Sequence, residues 1–327
     1  MIYPEFLRTN DTIGIAAPSA GVGKKIESYE RSLQVLKDNG WQIKETASVR
    51  NEGDRSADAK TRSEEFVSLF TDGGVNFVMC AAGGDFLFEI LEDLDFEEMK
   101  NHPKWISGHS DPTGILYPYT VNCDVATFYA MNAGGYDVEP MPEYIQNNLR
   151  MLRGEQLIQK SSKMHMKTPT FLAEKVEFDT PTKWISSVGD FEVEGRCIGG
   201  CMDVLKDLIG TKFDGTKDFV EKYKDDGQIW FFDVFSMSAE NVYRTLRQMR
   251  YAGWFDHTKA IILGRVLFES SDTDMTYQEA AEWAVRDIPV ITEADVGHTL
   301  PYMTMINGAM MHLVMKENKA QIQFSFK

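Results

Sequence analysis

The fold is decided early in the chain, by the stretch "TIGIAAPSAGVGKKIESYERSLQVLKDNGW" at residues 12–41. Its first part, residues 12–19, is an apolar run that predicts a buried strand. Apolar residues then recur at the spacing of a helix, at Ile26, Tyr29, Leu33 and Leu36. Gly40 is a typical residue for the end of that helix. The stretch therefore predicts a strand followed by an amphipathic helix.

The same order of strand and helix repeats up to residue 110. Further strand-like runs are "WQIKETAS", "VNFVMCAAGG" and "KWISGHS", with amphipathic segments between them. Apolar strands of this kind, separated by helices, predict a parallel sheet that is covered on both faces. Ligands bind beyond the carboxyl ends of such strands. The segments "AAGGD" and "GHSD" fall at those ends.

The rest of the chain predicts a second α/β region. Its strands and helices are expected in "FEVEGRCIGGCMDVLKDLIGT", "IWFFDVF", "SAENVYRTLRQMRYAGWF" and "KAIILGRVL", with a hairpin around "KENK". Residues 136–182 differ in character, because prolines and charged residues replace the regular alternation. We therefore expect an N-terminal domain over residues 1–135, a linker region over 136–182 and a C-terminal domain over 183–327.

Composition excludes several classes of partner. The 34 basic and 50 acidic residues give a net charge of -16, which repels phosphate backbones and anionic lipid surfaces. No apolar run approaches the roughly 18 residues of a membrane span, and the N-terminal segment lacks the pattern of a secretory signal. We therefore expect a cytoplasmic protein that binds neither nucleic acid nor membrane. The cysteines, including the pair in "CIGGC", are interpreted as buried thiols.

The segment "KWISGHSDPTG", residues 104–114, places Ser110 where a strand ends and a helix begins. Asp111 is a favoured residue for a helix N-cap, and Pro112 suits the first helical position. Ser110 would then lie on a tight bend beside free backbone N–H groups and the positive end of a helix dipole. This is the layout of a nucleophile elbow. A simple helix cap explains the same residues, and these residues alone favour the helix cap.

A serine nucleophile requires a base, and the chain has six histidines. His109 is poorly placed, because neighbouring residues of an extended strand point to opposite faces. His298 lies in "DVGHTLP", directly after an apolar strand and between Gly297 and Pro301. Such a loop displays its side chains, so His298 stands out among the six, although by position alone a loop histidine is more often an ordinary surface residue.

Six ordered segments of the sequence resemble one known family. They are "IGIAAPSAGV", "AAGGDFLFEILEDLDFEEMKNHPK", "ISGHSD", "EGRCIGGCMDVLKDLIGT", "YRTLRQMRYAGWFDHTKAIILGRV" and "PVITEADVGHTLPYMTMINGA". The family is the LD-carboxypeptidases, a serine peptidase family that also contains the microcin C immunity peptidases. The resemblance implies an α/β fold, with an N-terminal flavodoxin-like parallel sheet domain and a C-terminal α/β domain of the swivelling β/α type.

The resemblance also implies roles for individual residues. The family nucleophile corresponds to Ser110 and the general base to His298. The oxyanion hole corresponds to the backbone N–H groups of Gly84 and Asp111. Trp184 lies where the immunity peptidases hold an aromatic residue that stacks on substrate, although tryptophan is more often a packing residue.

The acid of the implied triad is a departure from the family pattern. The family usually has glutamate at the end of the strand that resembles "IWFFD", whereas this chain has Asp233. Aspartate is one methylene shorter, so Glu240 is kept in reserve, although its place in a first helical turn already explains a carboxylate. Pro112 and Asp85 also depart from the residues typical of the family, and Asp85 lies where a substrate would enter beside Gly84.

The expected function is that of a serine carboxypeptidase that hydrolyses the amide between an L-configured centre and a terminal D-amino acid, as in murein tetrapeptide. One alternative is a microcin C immunity-type peptidase that cleaves peptidyl or aminoacyl nucleotide conjugates. The other is a non-catalytic two-domain protein that binds a small molecule. No metal or organic cofactor is implied. The expected partners are a small peptide or peptide-conjugate substrate and, from the resemblance, a second copy of the chain in a homodimer.

Overall fold

The computed structural model describes residues 1–169 and 175–327, and the chain divides into two compact units, Met1–Glu155 and Gln156–Lys327. The division replaces the linker expected at 136–182. The part of that stretch up to Glu155 belongs to the first unit, in which Ile145 is buried and the N–H of Tyr136 donates to the hydroxyl of Ser32 at 3.2 Å. Residues 170–174 of the expected linker lie outside the described residues.

The first unit alternates strands and helices as its sequence predicts. Its strands are β1 (Thr12–Ala16), β2 (Gln42–Glu45), β3 (Phe77–Cys80), β4 (Trp105–Gly108) and β5 (Thr127–Tyr129). Its helices are α1 (Ile26–Asp38), α2 (Ala59–Thr71), α3 (Phe96–Asn101), α4 (Thr113–Cys123) and α5 (Glu143–Met151). The predicted apolar face of α1 is the buried one, and it includes Tyr29, Leu33 and Leu36.

The strands of the first unit pair in parallel in the order β5-β4-β3-β1-β2. Every residue of β3 and β4 is buried, as expected for central strands with helices on both faces. The order is that of a flavodoxin-like sheet, in which ligands bind beyond the carboxyl ends, where the strand order reverses. The loops after β1, β3 and β4 meet at this edge of the sheet.

The second unit contains a mixed sheet with helices. Its strands are β6 (Ile158–Lys160), β7 (Met164–His165), β8 (Thr180–Pro181), β9 (Ile185–Ser186), β10 (Phe191–Cys201), β11 (Gln228–Asp233), β12 (Thr258–Gly264), β13 (Val290–Ala294), β14 (Met305–Asn307), β15 (Met310–Lys316) and β16 (Lys319–Ser325). Its helices are α6 (Met202–Leu208), α7 (Thr216–Lys222), α8 (Ala239–Tyr251) and α9 (Tyr277–Val285).

The large sheet of the second unit has the order β6-β16-β15-β10-β11-β12-β13-β9. Strands β10 to β13 are parallel, and their carboxyl ends lie at one edge. The hairpin predicted at "KENK" joins β15 and β16, with Glu317 and Asn318 both at positive φ, as a tight hairpin turn requires. The prediction of a parallel-sheet N-terminal domain and a separate C-terminal α/β domain is thus confirmed.

In the part of the chain that the structure describes, no helix is long and apolar enough to cross a bilayer.

Candidate active site

Ser110 lies on the turn between β4 and α4, in a backbone conformation that side chains rarely adopt. Its φ is 70°, in the left-handed region that costs about 1–2 kcal/mol for a residue with a Cβ. A serine that only capped the helix would have no need of this conformation. The first helical hydrogen bonds follow at once, since the N–H of Thr113 donates to the carbonyl of Ser110 at 2.9 Å. The strand, strained serine and helix form the predicted elbow.

The backbone around Ser110 is fixed by contacts from neighbouring loops. The N–H of Ser110 donates to the hydroxyl of Tyr129 at 3.3 Å. Asn132 pairs with both backbone groups of His109, at 3.0 Å and 3.2 Å. These bonds join the elbow to the carboxyl end of β5 and the loop after it, so the serine sits on a rigid support.

Asp111 does not cap α4 with its side chain, which corrects the expectation from the sequence. Its buried carboxylate accepts hydrogen bonds from the hydroxyl of Ser19 at 2.5 Å and from the N–H of Leu87 at 3.0 Å. Burial raises the pKa of Asp111, and these two hydrogen bonds partly offset the rise. Ser19 follows β1, Leu87 follows β3 and Asp111 follows β4. The two hydrogen bonds to the carboxylate therefore connect these three loops.

The glycine pair of "AAGGD" lies against these loops. A Cβ on Gly83 would come within 3.1 Å of the Cβ of Ser110, and a Cβ on Gly84, whose φ is 150°, would collide with the hydroxyl of Ser19. Only glycine lets this loop approach so closely. Among residues 1–169 and 175–327, the backbone N–H groups of Gly84 and Asp111 donate to no protein acceptor. Both groups are therefore available to an oxygen of a ligand.

Asp233 and His298 form a hydrogen-bonded pair in the second unit. Asp233, the last residue of β11, is fully buried, and its Oδ2 lies 2.8 Å from Nδ1 of His298. The backbone N–H of His298 also donates to Oδ1 of Asp233, at 3.2 Å. A Cβ on Gly297, whose φ is 102°, would collide with the same oxygen. The shorter aspartate thus reaches the histidine because the loop after β13 comes close to it.

The surroundings of His298 favour its protonated form. Burial alone would lower the pKa of His298, but the charge and hydrogen bond of Asp233, together with the charge of Asp203, raise it. The ring packs against Phe235 at 4.8 Å between centroids, and its side chain keeps 14% of its surface exposed. With Nδ1 held by Asp233, Nε2 is the nitrogen left for proton transfer.

Glu240, the reserve acid, is engaged elsewhere. Its Oε1 accepts hydrogen bonds from the hydroxyls of Ser271 and Thr273, both at 2.7 Å, and from backbone N–H groups of the same loop. The hydrogen bonds from Ser271 and Thr273 lower the pKa of Glu240. Its carboxylate therefore organises the loop before α9, and Asp233 is the acid that contacts His298.

Trp184 is fully buried, and its indole nitrogen donates to Oδ2 of Asp295 at 3.2 Å. The ring is therefore a packing residue in the structure, and the stacking role implied by the resemblance does not fit its position. Sequence reasoning missed Ser19 and Tyr129, both of which support the elbow. Ser19 carried one signal that could have identified it, since it follows β1 at the edge where ligands bind.

Comparison with known proteins places the chain in a family. Family models for the LD-carboxypeptidase N-terminal domain and C-terminal domain match residues 13–130 and 194–313. A predicted carboxypeptidase of Vibrio cholerae is 27% identical over 316 residues, covering 93% of this chain and 92% of the relative. The microcin C7 self-immunity protein MccF of Escherichia coli is 25% identical over 324 residues, covering 92% of this chain and 90% of MccF.

Solved structures show the same fold. MccF in complex with aspartyl sulfamoyl adenosine matches with a TM-score of 0.82 at 22% identity, covering 100% of this chain and 99% of that one. The muramoyltetrapeptide carboxypeptidase of Oxalobacter formigenes matches with a TM-score of 0.75 at 23% identity, covering 96% of this chain and 99% of the enzyme. Together with the two domain models, which cover well over half of the sequence, these findings show that the chain belongs to the LD-carboxypeptidase family, peptidase family S66.

Proposed function

We propose that the protein is a serine carboxypeptidase that hydrolyses the amide between an L-configured centre and a terminal D-amino acid. Ser110 is the nucleophile, His298 the general base and Asp233 the residue that orients the base. The observation that carries the proposal is the short bond between Nδ1 of His298 and the fully buried carboxylate of Asp233. A buried acid on Nδ1 fixes the tautomer that presents Nε2 as a base.

The reaction follows from these roles. Oγ of Ser110 attacks the amide carbonyl while Nε2 of His298 takes its proton. The tetrahedral oxyanion is stabilised by the N–H groups of Gly84 and Asp111, each worth about 3–4 kcal/mol in well-studied hydrolases. His298 then gives the proton to the departing amine of the D-amino acid, and water hydrolyses the acyl-enzyme by the same route in reverse.

The strain at Ser110 supports an enzyme over a non-catalytic binding protein. A non-glycine residue at positive φ persists only where the surrounding structure enforces it, and such residues cluster at functional sites. The bonds that Ser110 and His109 make with Tyr129 and Asn132 provide that enforcement. The non-catalytic alternative explains neither the strain nor the paired acid and histidine.

A second substrate class is favoured by one specific observation. MccF has been solved with aspartyl sulfamoyl adenosine, and its fold covers this entire chain. We therefore keep, as the alternative, hydrolysis of an aminoacyl or peptidyl nucleotide conjugate by the same residues. The muramoyltetrapeptide carboxypeptidase with the same fold supports the murein-type substrate.

A substrate comparison distinguishes these possibilities. Purified protein and its Ser110→Ala variant are each incubated with murein tetrapeptide and with aspartyl sulfamoyl adenosine, and the products are read by mass spectrometry. We expect the native chain to release the terminal D-alanine from the tetrapeptide and the variant to release none. Cleavage of the nucleotide conjugate alone selects the alternative. Full activity in Ser110→Ala would refute the serine mechanism for either substrate.

A further inference from the structure

A buried ion pair lies beside the loop that carries His298. Arg265 follows β12 and Asp295 follows β13, and Nη1 of Arg265 lies 2.5 Å from Oδ1 of Asp295. The two side chains are only 4% and 2% exposed. Burying two charges is costly unless hydrogen bonds satisfy their remaining polar atoms. The partners of these atoms therefore indicate what the pair is for.

The other donors of Arg265 go to residues that follow His298. Its Nε donates to the hydroxyl of Thr299 at 3.1 Å, and its Nη2 donates to the carbonyl of Pro301 at 2.9 Å. Asp295, three positions before His298, is held in turn by the N–H and hydroxyl of Ser162, at 2.7 Å and 2.8 Å. The ion pair thus contacts the chain both before and after the histidine, at Asp295 and at Thr299 and Pro301.

These bonds act on a segment that lies outside the helices and strands. The chain between Ala294, the last residue of β13, and Met305, the first of β14, has neither helical nor strand structure. Backbone bonds hold it at a few points: the N–H of Met303 donates to the carbonyl of Asp295 at 2.8 Å, and the N–H of Met166 donates to the carbonyl of Leu300 at 2.8 Å. Between these points, the bonds from Arg265 act on Thr299 and Pro301, the residues just after His298.

We propose that Arg265, paired with Asp295, is a positioning residue that fixes the His298 loop so that the imidazole keeps its bond to Asp233. Its catalytic consequence rests on the function proposed above. The guanidinium suits this task because it directs donors at three separate acceptors from one rigid plane. A lysine ammonium also has three N–H donors, but they radiate from a single nitrogen and do not match acceptors that are spread around the guanidinium plane.

The test compares Arg265→Lys with Arg196→Lys. Arg196 is a matched control, since it is also 4% exposed and bonds Asp226 and the carbonyl of Gly308. Arg196 lies at the other end of the parallel strands. It pairs with Gln228, the first residue of β11, whereas Asp233 is the last residue of that strand. Both variants keep the positive charge, so a difference between them reports on the geometry of the loop.

Two readouts are taken from each full-length variant. Ring-nitrogen NMR spectra follow the tautomer and the titration of His298, which is measurable without turnover. Steady-state kinetics follow kcat and KM separately. We expect Arg265→Lys to weaken the signature of the bond to Asp233 and to lower kcat by about 100-fold, as loss of sub-ångström placement does, with KM nearly unchanged. Arg196→Lys should change neither the NMR spectra of His298 nor kcat.

A milder variant covers the case in which Arg265→Lys does not fold. Thr299→Val removes only the hydroxyl that Nε of Arg265 contacts. It should shift the ring-nitrogen NMR signals of His298 in the same direction as Arg265→Lys does. Unchanged His298 spectra in both loop variants, or equal changes in Arg196→Lys, would overturn the proposal. If the native protein shows no turnover, the proposed function fails, while the NMR comparison still decides whether Arg265 positions the loop.

Discussion

At the scale of single residues, the choice of acid is the most direct consequence of the structure. Asp233 bonds His298, whereas Glu240 bonds the loop at Ser271 and Thr273. Asp233→Asn should therefore lower kcat by about 10⁴-fold, because an amide no longer selects the reactive tautomer. Glu240→Gln should leave kcat within about threefold and affect stability instead, because a neutral amide oxygen accepts the hydrogen bonds of the loop more weakly than a carboxylate does. The measurement is kcat on the cleaved substrate. Loss of turnover in Glu240→Gln alone would reverse the assignment.

The pH dependence of activity and stability is a second property of one residue. The pKa of His298 is raised in the folded state, even though burial alone would lower it, because of Asp233 and Asp203. Activity needs neutral His298, so kcat/KM should rise with pH and reach half its maximum above the ordinary histidine value of about 6.5. Asp233→Asn should move this midpoint down.

Raising the pH through the pKa of His298 should increase activity but decrease the stability of the fold. A raised pKa in the folded state means that protonation of His298 stabilises the fold. This contribution is complete below a pH of about 6.5, and it is lost as the pH rises through the folded-state pKa. Urea unfolding of the native protein and of Asp233→Asn at several pH values measures it. An identical pH dependence of both proteins would contradict the role of Asp233 in the shift.

At the scale of elements, the loops at strand ends carry the site. Gly297 determines how closely the loop after β13 approaches Asp233. A Cβ at Gly297 would collide with Oδ1 of Asp233, so Gly297→Ala should separate Asp233 from His298. Gly189→Ala is the matched control, because Gly189 also has positive φ, at 77°, but an added Cβ there meets nothing within 4 Å. Each variant should lose about 1–2 kcal/mol from backbone strain.

The difference between the two glycine variants isolates the collision. Gly297→Ala should lose stability beyond the strain and should lower kcat strongly, whereas Gly189→Ala should keep its kcat. Chemical denaturation and kinetics on both variants provide the comparison. Equal kcat values would show that the loop tolerates a wider separation of Asp233 and His298 than the contacts indicate.

The sequence predicts the elements well and their side-chain partners poorly, for a physical reason. The apolar period of α1, the buried runs of β3 and β4 and the hairpin at "KENK" are local patterns, and all of them appear in the structure. The side chain of Asp111 was expected to cap the next helix because that partner is local. It bonds Ser19 instead, 92 positions away, and no local pattern contains that information.

At the scale of the whole molecule, the proposed residues divide between the two units. Ser110, Gly84 and Asp111 belong to Met1–Glu155, whereas Asp233 and His298 belong to Gln156–Lys327. The order of these residues along the chain was available from the resemblance, as were the segments that carry them. The Arg265 network was not, because its bonds link β12 to a loop about 30 positions further on, and nothing in the local sequence of Arg265 marks it.

We propose above all that Ser110 is a nucleophile whose reactivity depends on His298. Labelling with a fluorophosphonate tests it most directly, because Oγ of an activated serine forms a bond to phosphorus while fluoride leaves. We predict one adduct, mapped by mass spectrometry to Ser110 in the native protein, and far slower labelling in His298→Ala. A native protein that forms no adduct at Ser110, or a His298→Ala variant that is labelled at the native rate, would contradict it.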